Sequence, residues 1–263
     1  MINLFWEKKN KPAKKAVKKV IPVKKAPMKK APAKKEVKKP VKTVAKAPEK
    51  KAVKMPEVVK MSDIKAYDVL KDSRIPMVPY AFVKKEADVM PAVKKIGFPC
   101  VMKVAGKEII HKTEFGGVIK NVDSEQKALE AFAALMKIKK AENVIIQKQM
   151  SGLELIVGAK ASPEFGRIIS IGIGGIYVEV LRDVTFRIAP LSTFDAQAMV
   201  KELKGYEILA GARSGKPINL EKLYELLVRM SNLAVKSKFK EMDINPLFCT
   251  EEGCWAADVR IIE

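Results

Sequence analysis

The sequence predicts an α+β fold of two lobes that follows a long basic arm. After residue 61, segments with helical and strand-like hydrophobic periodicity alternate, and several neighbouring strand segments are joined by short turns. Short turns connect antiparallel strands, whereas a single parallel sheet requires long crossovers. A sharp change of composition near residue 61 separates the arm, 1–61, from the folded part, 62–263.

The arm has the composition of a disordered segment. Residues 1–61 contain 21 lysines and four acidic residues, so they carry +17 of the formal net charge of +21. Lysine is interspersed with alanine, proline and valine, which bury too little apolar surface to offset the entropy of ordering the chain. Such an arm could contact nucleic acid or an acidic protein surface through its charge. A purely solubilising tail explains the same composition equally well.

Several protein classes do not fit the sequence. The first residues, MINLFWEKK, lack the order of a secretory signal peptide, and no apolar run approaches the ~18 residues that span a membrane. Three cysteines are too few for a disulfide framework, so we expect a cytoplasmic protein without membrane contact. Cys249 and Cys254 flank the turn TEEG, which predicts a cross-strand thiol pair in a hairpin rather than a metal site.

The first lobe is predicted at about residues 76–149. It is preceded by a short amphipathic helix at 62–73, which opens with a serine or aspartate N-cap, and by an extended proline-containing segment. One helix that ends at Gly97 and another that is capped by Ser124 follow. The apolar runs predict strands at 98–105, 116–122 and 143–150.

The second lobe is predicted at about residues 150–263. Apolar and amphipathic runs predict, in order, strands at 153–161, 167–175 and 185–192 and helices at 194–211 and 220–238. The segments 239–249 and 254–262 are predicted to close the chain as a hairpin. A cleft between two lobes is a usual place for a ligand.

Lys103 and a glycine cluster are candidates for contacts with an anion. Lys103 ends an apolar strand, where an ammonium group is costly unless it meets an anion, although a lysine that reaches water fits equally well. Gly174 and Gly175 follow another apolar strand, and glycine lets backbone N–H groups close on a phosphate. The glycine pattern alone is weak, because tight turns explain most such clusters.

The closing hairpin contains a more specific pattern, EMDINPL followed by AADV. Alternate residues of a strand share a face, so Glu241, Asp243 and Asn245 are predicted to point the same way. Asp258 on the returning strand is predicted to lie opposite Asn245. Amide and carboxylate oxygens among apolar residues suit a hard cation such as Mg²⁺ carried on a nucleotide. A hydrogen-bonded polar pair at a sheet edge is the alternative.

Two further features are ambiguous when taken alone. The segment QKQMSGLE, 147–154, is either an inter-lobe hinge that holds a base, with Glu154 binding ribose hydroxyls, or an exposed hairpin turn. His111 is the only histidine of the chain and stands in the stretch IIHKTEFGGV. A structural histidine would be the default interpretation of an unplaced imidazole.

Together these residues resemble those of a known family. From about Ser62 to Glu263 the chain resembles the β subunit, or ATP-grasp domain, of ADP-forming acetyl-CoA (acyl-CoA) synthetases. Five motifs in the same order carry the resemblance: FPCVMKVAGKEIIHKTEFGGV, LELIVGAKASPEFG, IGIGGIYVEVLRDVTFRIAPL, GYEILAGARSGKP and EMDINPLF. The resemblance implies an ATP-grasp fold that holds Mg²⁺ with ATP or ADP between two lobes. It also implies interconversion of acyl-CoA, ADP and phosphate with the free acid, CoA and ATP through a phosphohistidine.

The resemblance implies a role for each candidate residue. His111 would take up the phosphoryl group, which suits a neutral imidazole that is nucleophilic near pH 7. The remaining implied contacts are Lys103, Gly174 and Gly175 with the phosphates, Gln147 and Met150 with adenine, Glu154 with ribose, Asn245 and Asp258 with Mg²⁺, and Arg187 as a clamp on the transferring charge.

The resemblance also implies a partner. The CoA-binding and ligase domains of the family are not found in this sequence, so we expect them on a separate α subunit, in a heterotetramer, that brings CoA, acyl-CoA and the carboxylic acid. A succinyl- or malate-CoA ligase β chain is one alternative, but that family lacks the HKT motif found here at 111–113. A non-catalytic ATP-grasp regulatory module is another. Departures from the usual family pattern occur at Gly106, Lys107, Glu114, Ser162 and Ser214.

Overall fold

The protein was analysed as a computed structural model of the 263-residue chain. The structure describes residues 59–110, 112–113, 115–175, 183–212 and 215–263. The predicted disordered arm up to residue 58 lies outside this part of the chain, and so does His111. The described residues form two antiparallel sheets with helices packed on them, which confirms the predicted α+β fold.

The smaller sheet contains four strands with helices on one face. Its order is β1–β4–β2–β3, and its helices are α2 and α3. The strands are β1 (Tyr80–Val83), β2 (Cys100–Ala105), β3 (Val118–Val122) and β4 (Asn143–Lys148), and the helices are α2 (Val89–Ile96) and α3 (Glu125–Met136). The predicted helix ends hold: the Ser124 hydroxyl accepts a hydrogen bond from the Lys127 N–H, and Gly97 ends α2 with a φ of 89°.

The larger sheet contains six strands, of which five run in the order β10–β8–β5–β6–β7 while β9 pairs with β8. The strands are β5 (Leu153–Ser162), β6 (Gly166–Ile173), β7 (Val184–Ile188), β8 (Glu241–Cys249), β9 (Cys254–Ala256) and β10 (Val259–Ile262). The helices that follow β7 are α4 (Thr193–Lys201), α5 (Tyr206–Leu209) and α6 (Leu220–Lys236). Helices α4 and α6 cover one face of the sheet and bury its aliphatic side chains against their own.

The predicted helix 194–211 is in fact two helices, α4 and α5. The chain turns between them because the N–H groups of Lys204 and Gly205 donate to the carboxylate of Asp183, each at 2.8 Å. A Cβ at Gly205 would lie 2.2 Å from Ile173 Cδ1, so a larger residue would require the Ile173 side chain to shift. A contact with a distant residue therefore overrides the helical periodicity.

Helix α1 (Asp63–Asp72) connects the two sheets. It packs against β10, while the Tyr67 ring contacts the rings of Tyr80 and Phe82 in β1 at centroid distances of 4.6 and 5.3 Å. Just before α1, the Met61 N–H donates to the Ile261 carbonyl at 2.9 Å. The chain ahead of α1 is thus hydrogen-bonded to the last strand, and both sheets share contacts with one helix.

The closing hairpin is formed as predicted, with one interruption. Strand β8 pairs with β9 and then with β10, and Ala257 and Asp258 lie between the two returning strands. Cys249 and Cys254 are opposite each other in the register, and both are buried free thiols, so the predicted cross-strand pair is confirmed. Among the residues that the structure describes, no helix is both long and apolar enough to cross a membrane.

Replacement of Ser231 by alanine tests how α6 is fastened to the larger lobe. The buried Ser231 hydroxyl accepts a hydrogen bond from the Leu191 N–H at 2.7 Å. Its loss leaves a buried donor unpaired, so we expect Ser231→Ala to lower the free energy of unfolding by about 1–3 kcal/mol. Chemical denaturation measures this change, and the exposed Ser151→Ala is the control. Equal stability of the two variants would show that the hydrogen bond does not hold α6.

Candidate functional site

The smaller sheet presents two buried polar side chains towards the larger lobe. In β2, Met102 and Val104 enter the core beneath α2 and α3, so Lys103 projects from the opposite face. Gln147 in β4 projects from that same face. The Gln147 side chain is 2% exposed, and its Nε2 has no hydrogen-bond partner among the described residues. Because an unpaired buried donor is costly, Gln147 fits a site where a ligand supplies the acceptor.

Lys103 reaches across to the larger sheet. It is 7% exposed, and its Nζ donates to the carbonyl of Ala257 at 2.9 Å. The pKa of Lys103 is lowered to about 8, mainly by burial and also by the charges of Lys112 and Lys120, while Asp258 partly opposes the shift. The ammonium group is therefore a poorly solvated positive charge at the junction of the two sheets, which an anion would stabilise.

A β-bulge sets the position of Asn245. The pairing of β5 with β8 shifts between Leu155, which is opposite Leu247, and Val157, which is opposite Ile244. The extra residue in β8 interrupts the alternation of buried and accessible side chains. Asn245 is therefore exposed, although Ile244 and Leu247 on the same strand are buried. The Asn245 N–H donates to the Asp258 carbonyl at 3.2 Å. Asn245 and Asp258 therefore lie opposite each other in the closing hairpin, as predicted.

The carboxylate of Asp258 is ionised and partly accessible. Its side chain is 24% exposed, and Oδ1 accepts hydrogen bonds from Lys112 Nζ at 2.8 Å and from the Val259 N–H at 3.0 Å. Burial alone would raise the pKa of Asp258, but Lys112, Lys103 and Lys60 outweigh it and lower the pKa. An exposed amide oxygen beside an ionised carboxylate is a donor set that suits Mg²⁺, which usually takes few protein ligands and completes its shell with phosphates and water.

Sequence reasoning missed a buried group of charges beside this pair. The lysine–aspartate cluster consists of Lys60, Asp63, Lys103, Lys112 and Asp258. Lys60 Nζ lies 2.9 Å from Asp63 Oδ2, and Lys112 Nζ lies 2.9 Å from Asp63 Oδ1 and 2.8 Å from Asp258 Oδ1. Asp63 had been read as a helix cap and Lys60 as part of the arm. Lys112 could have been identified as a candidate from the HKT motif, because it directly follows the histidine in the sequence.

The cluster holds the described residues that follow β2, on both sides of position 111 in the sequence. The Gly106 N–H donates to Asp63 Oδ2 at 3.0 Å, and Lys60 Nζ donates to the carbonyls of Gly106 and Ile109. A Cβ at Gly106 would lie 2.4 Å from the Lys140 carbonyl oxygen, which gives a steric reason for glycine at this departure from the family pattern. The Gly117 N–H closes the loop onto the Lys112 carbonyl at 2.8 Å.

Glu154 and the two candidate glycines lie at the ends of β5 and β6. Leu155 and Val157 of β5 are in the core under the helices, so Glu154 projects from the open face of the sheet. The Gly174 N–H donates to the Glu154 carbonyl at 2.6 Å, and a Cβ at Gly174 would lie 2.8 Å from that oxygen. Gly175 has a φ of +72°, which favours glycine.

The two remaining candidate residues, Met150 and Arg187, lie elsewhere in the fold. Met150 is half-buried in the connection between β4 and β5, as a hinge residue would be. Arg187 is not grouped with the other candidates. In the register of β7 it pairs with Ile169, a core residue, so its side chain is on the helix-covered face and contacts Glu202 at 2.5 Å. Glu154 lies on the other face of the sheet, so the role of Arg187 as a clamp on the transferring charge stays a prediction.

Comparison with known proteins identifies the family of the chain. The sequence model of the ATP-grasp domain matches residues 54–262. The chain is 40% identical over 209 residues to the β subunit of acetate–CoA ligase (ADP-forming) I of Pyrococcus furiosus, a match that covers 75% of this chain and 89% of that protein. It is 46% identical over 182 residues to acetate–CoA ligase (ADP-forming) II of Archaeoglobus fulgidus, where the match covers 69% of this chain and 27% of that protein.

A solved structure supports the same relationship. The dinucleotide-forming acetyl-coenzyme A synthetase 1 of Ca. Korarchaeum cryptofilum, in complex with coenzyme A, Ca-AMPCP and HgCl⁺, aligns with a TM-score of 0.74 and 33% sequence identity. The alignment covers 78% of this chain and 93% of that chain. The chain therefore belongs to the ATP-grasp family, in the group that contains the separate β subunits of ADP-forming acetate–CoA ligases.

Proposed function

We propose that the chain is the nucleotide-binding β subunit of an ADP-forming acetate–CoA or acyl-CoA ligase. It would exchange a phosphoryl group between a magnesium nucleotide and His111 in the reaction acyl-CoA + ADP + phosphate = acid + CoA + ATP. The observation that carries this proposal is the convergence of Lys103, Asn245 and Asp258 at the junction of the two sheets, where Lys103 Nζ lies 2.9 Å from the carbonyl of Ala257.

The residues around the junction would each bind a different part of the nucleotide. The ammonium of Lys103 would bind phosphate oxygens, which replace the hydration that its burial removes. The unpaired Nε2 of Gln147 would donate to the adenine base, with Met150 packing beside it. Glu154 would accept hydrogen bonds from the ribose hydroxyls, and Gly174 and Gly175 would let the backbone approach the phosphates closely.

Asn245 and Asp258 would hold the metal ion. Their oxygen donors suit Mg²⁺, and the Ca-AMPCP bound by the Korarchaeum relative is a divalent-metal complex of the same kind. When bound, Mg²⁺ would neutralise charge on the phosphate oxygens. This chain contributes a carboxylate that lysines keep ionised, together with an amide that the bulge of β8 turns out of the core.

His111 would be the nucleophile that carries the phosphoryl group. The residue that follows it in the sequence, Lys112, lies 2.8 Å from Asp258 Oδ1, and this contact with a candidate metal ligand supports the proposal. In the transfer from ATP, an imidazole nitrogen forms a bond to the γ-phosphorus while the bond to the bridging oxygen breaks and ADP leaves. The neutral form of the imidazole provides the electron pair.

The rest of the reaction requires a partner. The chain spans 27% of the length of the Archaeoglobus ligase but 89% of the separate Pyrococcus β subunit. We therefore assign CoA, acyl-CoA and acid binding to an α subunit, in a heterotetramer located in the cytoplasm. The contact of the arm with nucleic acid has no support from the relatives and is not part of the proposal.

A phosphorylation assay tests the proposed chemistry. Purified chain is incubated with γ-labelled ATP and Mg²⁺, alone and with a candidate α subunit. We expect acid-labile, base-stable label on the chain and its loss in His111→Ala, because phosphohistidine hydrolyses in acid. Lys103→Met is expected to lower the rate of labelling at least tenfold through weaker phosphate binding. Label that persists in His111→Ala would contradict the assignment of His111 as the phosphoryl acceptor. The absence of label in the presence of the partner would contradict it as well.

The pH dependence of nucleotide binding tests the role of Lys103. Its pKa of about 8 means that the free site loses the ammonium charge above that pH. Phosphate binding must then take up a proton, so the affinity for metal-free ADP should be level below about pH 8 and fall up to about tenfold per pH unit above it. Calorimetry between about pH 7 and 10 measures this profile. Lys103→Met should bind more weakly throughout and show no break, and a break that survives in this variant would assign the titration to another group.

A further inference from the structure

The lysine–aspartate cluster has one positive charge in excess. It combines three ammonium groups, those of Lys60, Lys103 and Lys112, with the two carboxylates of Asp63 and Asp258. Among the described residues, these carboxylates pair with Lys60 and Lys112, whereas Lys103 Nζ donates to the carbonyl of Ala257. Lys120 adds further positive potential at Lys103. An excess cation in a poorly solvated place is costly unless an anion arrives to balance it.

Lys112 is the member that lies between the buried charges and the candidate metal position. Its side chain is 6% exposed, and its Nζ is almost equidistant from Asp63 Oδ1, at 2.9 Å, and Asp258 Oδ1, at 2.8 Å. Oδ1 of Asp258, which also accepts from the Val259 N–H, is therefore already bound to an ammonium group. A metal ion that approaches Asp258 must overcome the repulsion of the Lys112 ammonium group, which lies 2.8 Å from Oδ1 of the same carboxylate.

We propose that Lys112 is a built-in counter-ion of Asp258, which prevents the site from taking up a free divalent cation and makes metal binding depend on nucleotide phosphates. The inference rests on the proposed function, because it requires Asp258 to be a metal ligand. A free divalent cation would bring the local excess of charge from one to three. A magnesium nucleotide brings its own phosphate charges, which Lys103 can bind and which offset the local positive charge while the metal binds Asp258.

Asp63 makes this exchange feasible. When the metal competes for Asp258, Lys112 retains the Asp63 carboxylate as a partner, so its charge is never buried without a counter-ion. Lys60 and the Gly106 N–H hold Asp63 in place from the other side. Lys112 is thus a positioning residue for the metal site, and it acts through Asp258 rather than by contact with the reacting atoms.

Equilibrium dialysis with Mn²⁺ tests the proposal without a measurement of activity. The Mn²⁺ retained per chain is measured without nucleotide and with saturating ADP, for the wild type, Lys112→Met and Lys216→Met. Lys216 is the matched control because it also pairs with a carboxylate, at 2.7 Å from Glu251, but is 79% exposed. We expect the wild type and Lys216→Met to retain Mn²⁺ only with ADP, and Lys112→Met to bind free Mn²⁺ at least tenfold more tightly than the wild type.

Further variants keep the result interpretable. Asp258→Asn in the Lys112→Met background should abolish the gained site, which identifies the ligand. Lys112→Gln, which can still donate to a carboxylate, replaces Lys112→Met if thermal unfolding shows that the latter is not folded. A folded Lys112 variant that binds free Mn²⁺ no better than the wild type overturns the proposal, as does a wild type that binds Mn²⁺ equally well without ADP. Retention of neither Mn²⁺ nor ADP by the wild type instead overturns the proposed function on which the inference rests.

Discussion

The buried carboxylate of Asp63 is the constraint on which the candidate site depends. It is 1% exposed at the first residue of α1 and contacts Lys60, Lys112 and the Gly106 N–H. A buried charge is tolerated only with partners, and removal of one partner typically costs about 3–5 kcal/mol. The segment before α1, the helix itself and the loop after β2 must therefore meet at one point. That meeting also fixes Lys112 beside Asp258 in the larger sheet.

The same convergence explains why the two sheets can act as one site. Lys103 extends from the smaller sheet to the Ala257 carbonyl, and Tyr67 donates to that same oxygen at 3.1 Å. The residue that follows Ala257 is Asp258, so the smaller sheet and α1 both contact the backbone beside the candidate metal ligand. A nucleotide bound at this junction would contact both sheets, which is the arrangement that phosphoryl transfer by positioning and charge neutralisation requires.

Local patterns in the sequence were enough for some of this arrangement. Period-two alternation predicted that Asn245 and Asp258 lie opposite each other, because pairing within a hairpin is a local property. The face on which Arg187 lies could not be predicted, because it depends on the register of β7 with β6, which no local pattern states. Asp63 and Lys60 pair with each other locally, but their other partners are more than 40 residues away along the chain. The sequence alone therefore predicts only an ordinary helix start and part of a lysine-rich arm.

The most direct test of the site is a crystal structure of the chain with Mn²⁺ and ADP, in which anomalous scattering locates the metal. We expect the Mn²⁺ peak within coordination distance, about 2.0–2.3 Å, of oxygens of Asn245 and Asp258, with a phosphate oxygen on Lys103 Nζ. Glu241 and Asp243 are the nearby carboxylates on the same strand, and Arg260 already pairs with both. A metal bound there, or phosphates remote from Lys103, would contradict the proposed nucleotide site.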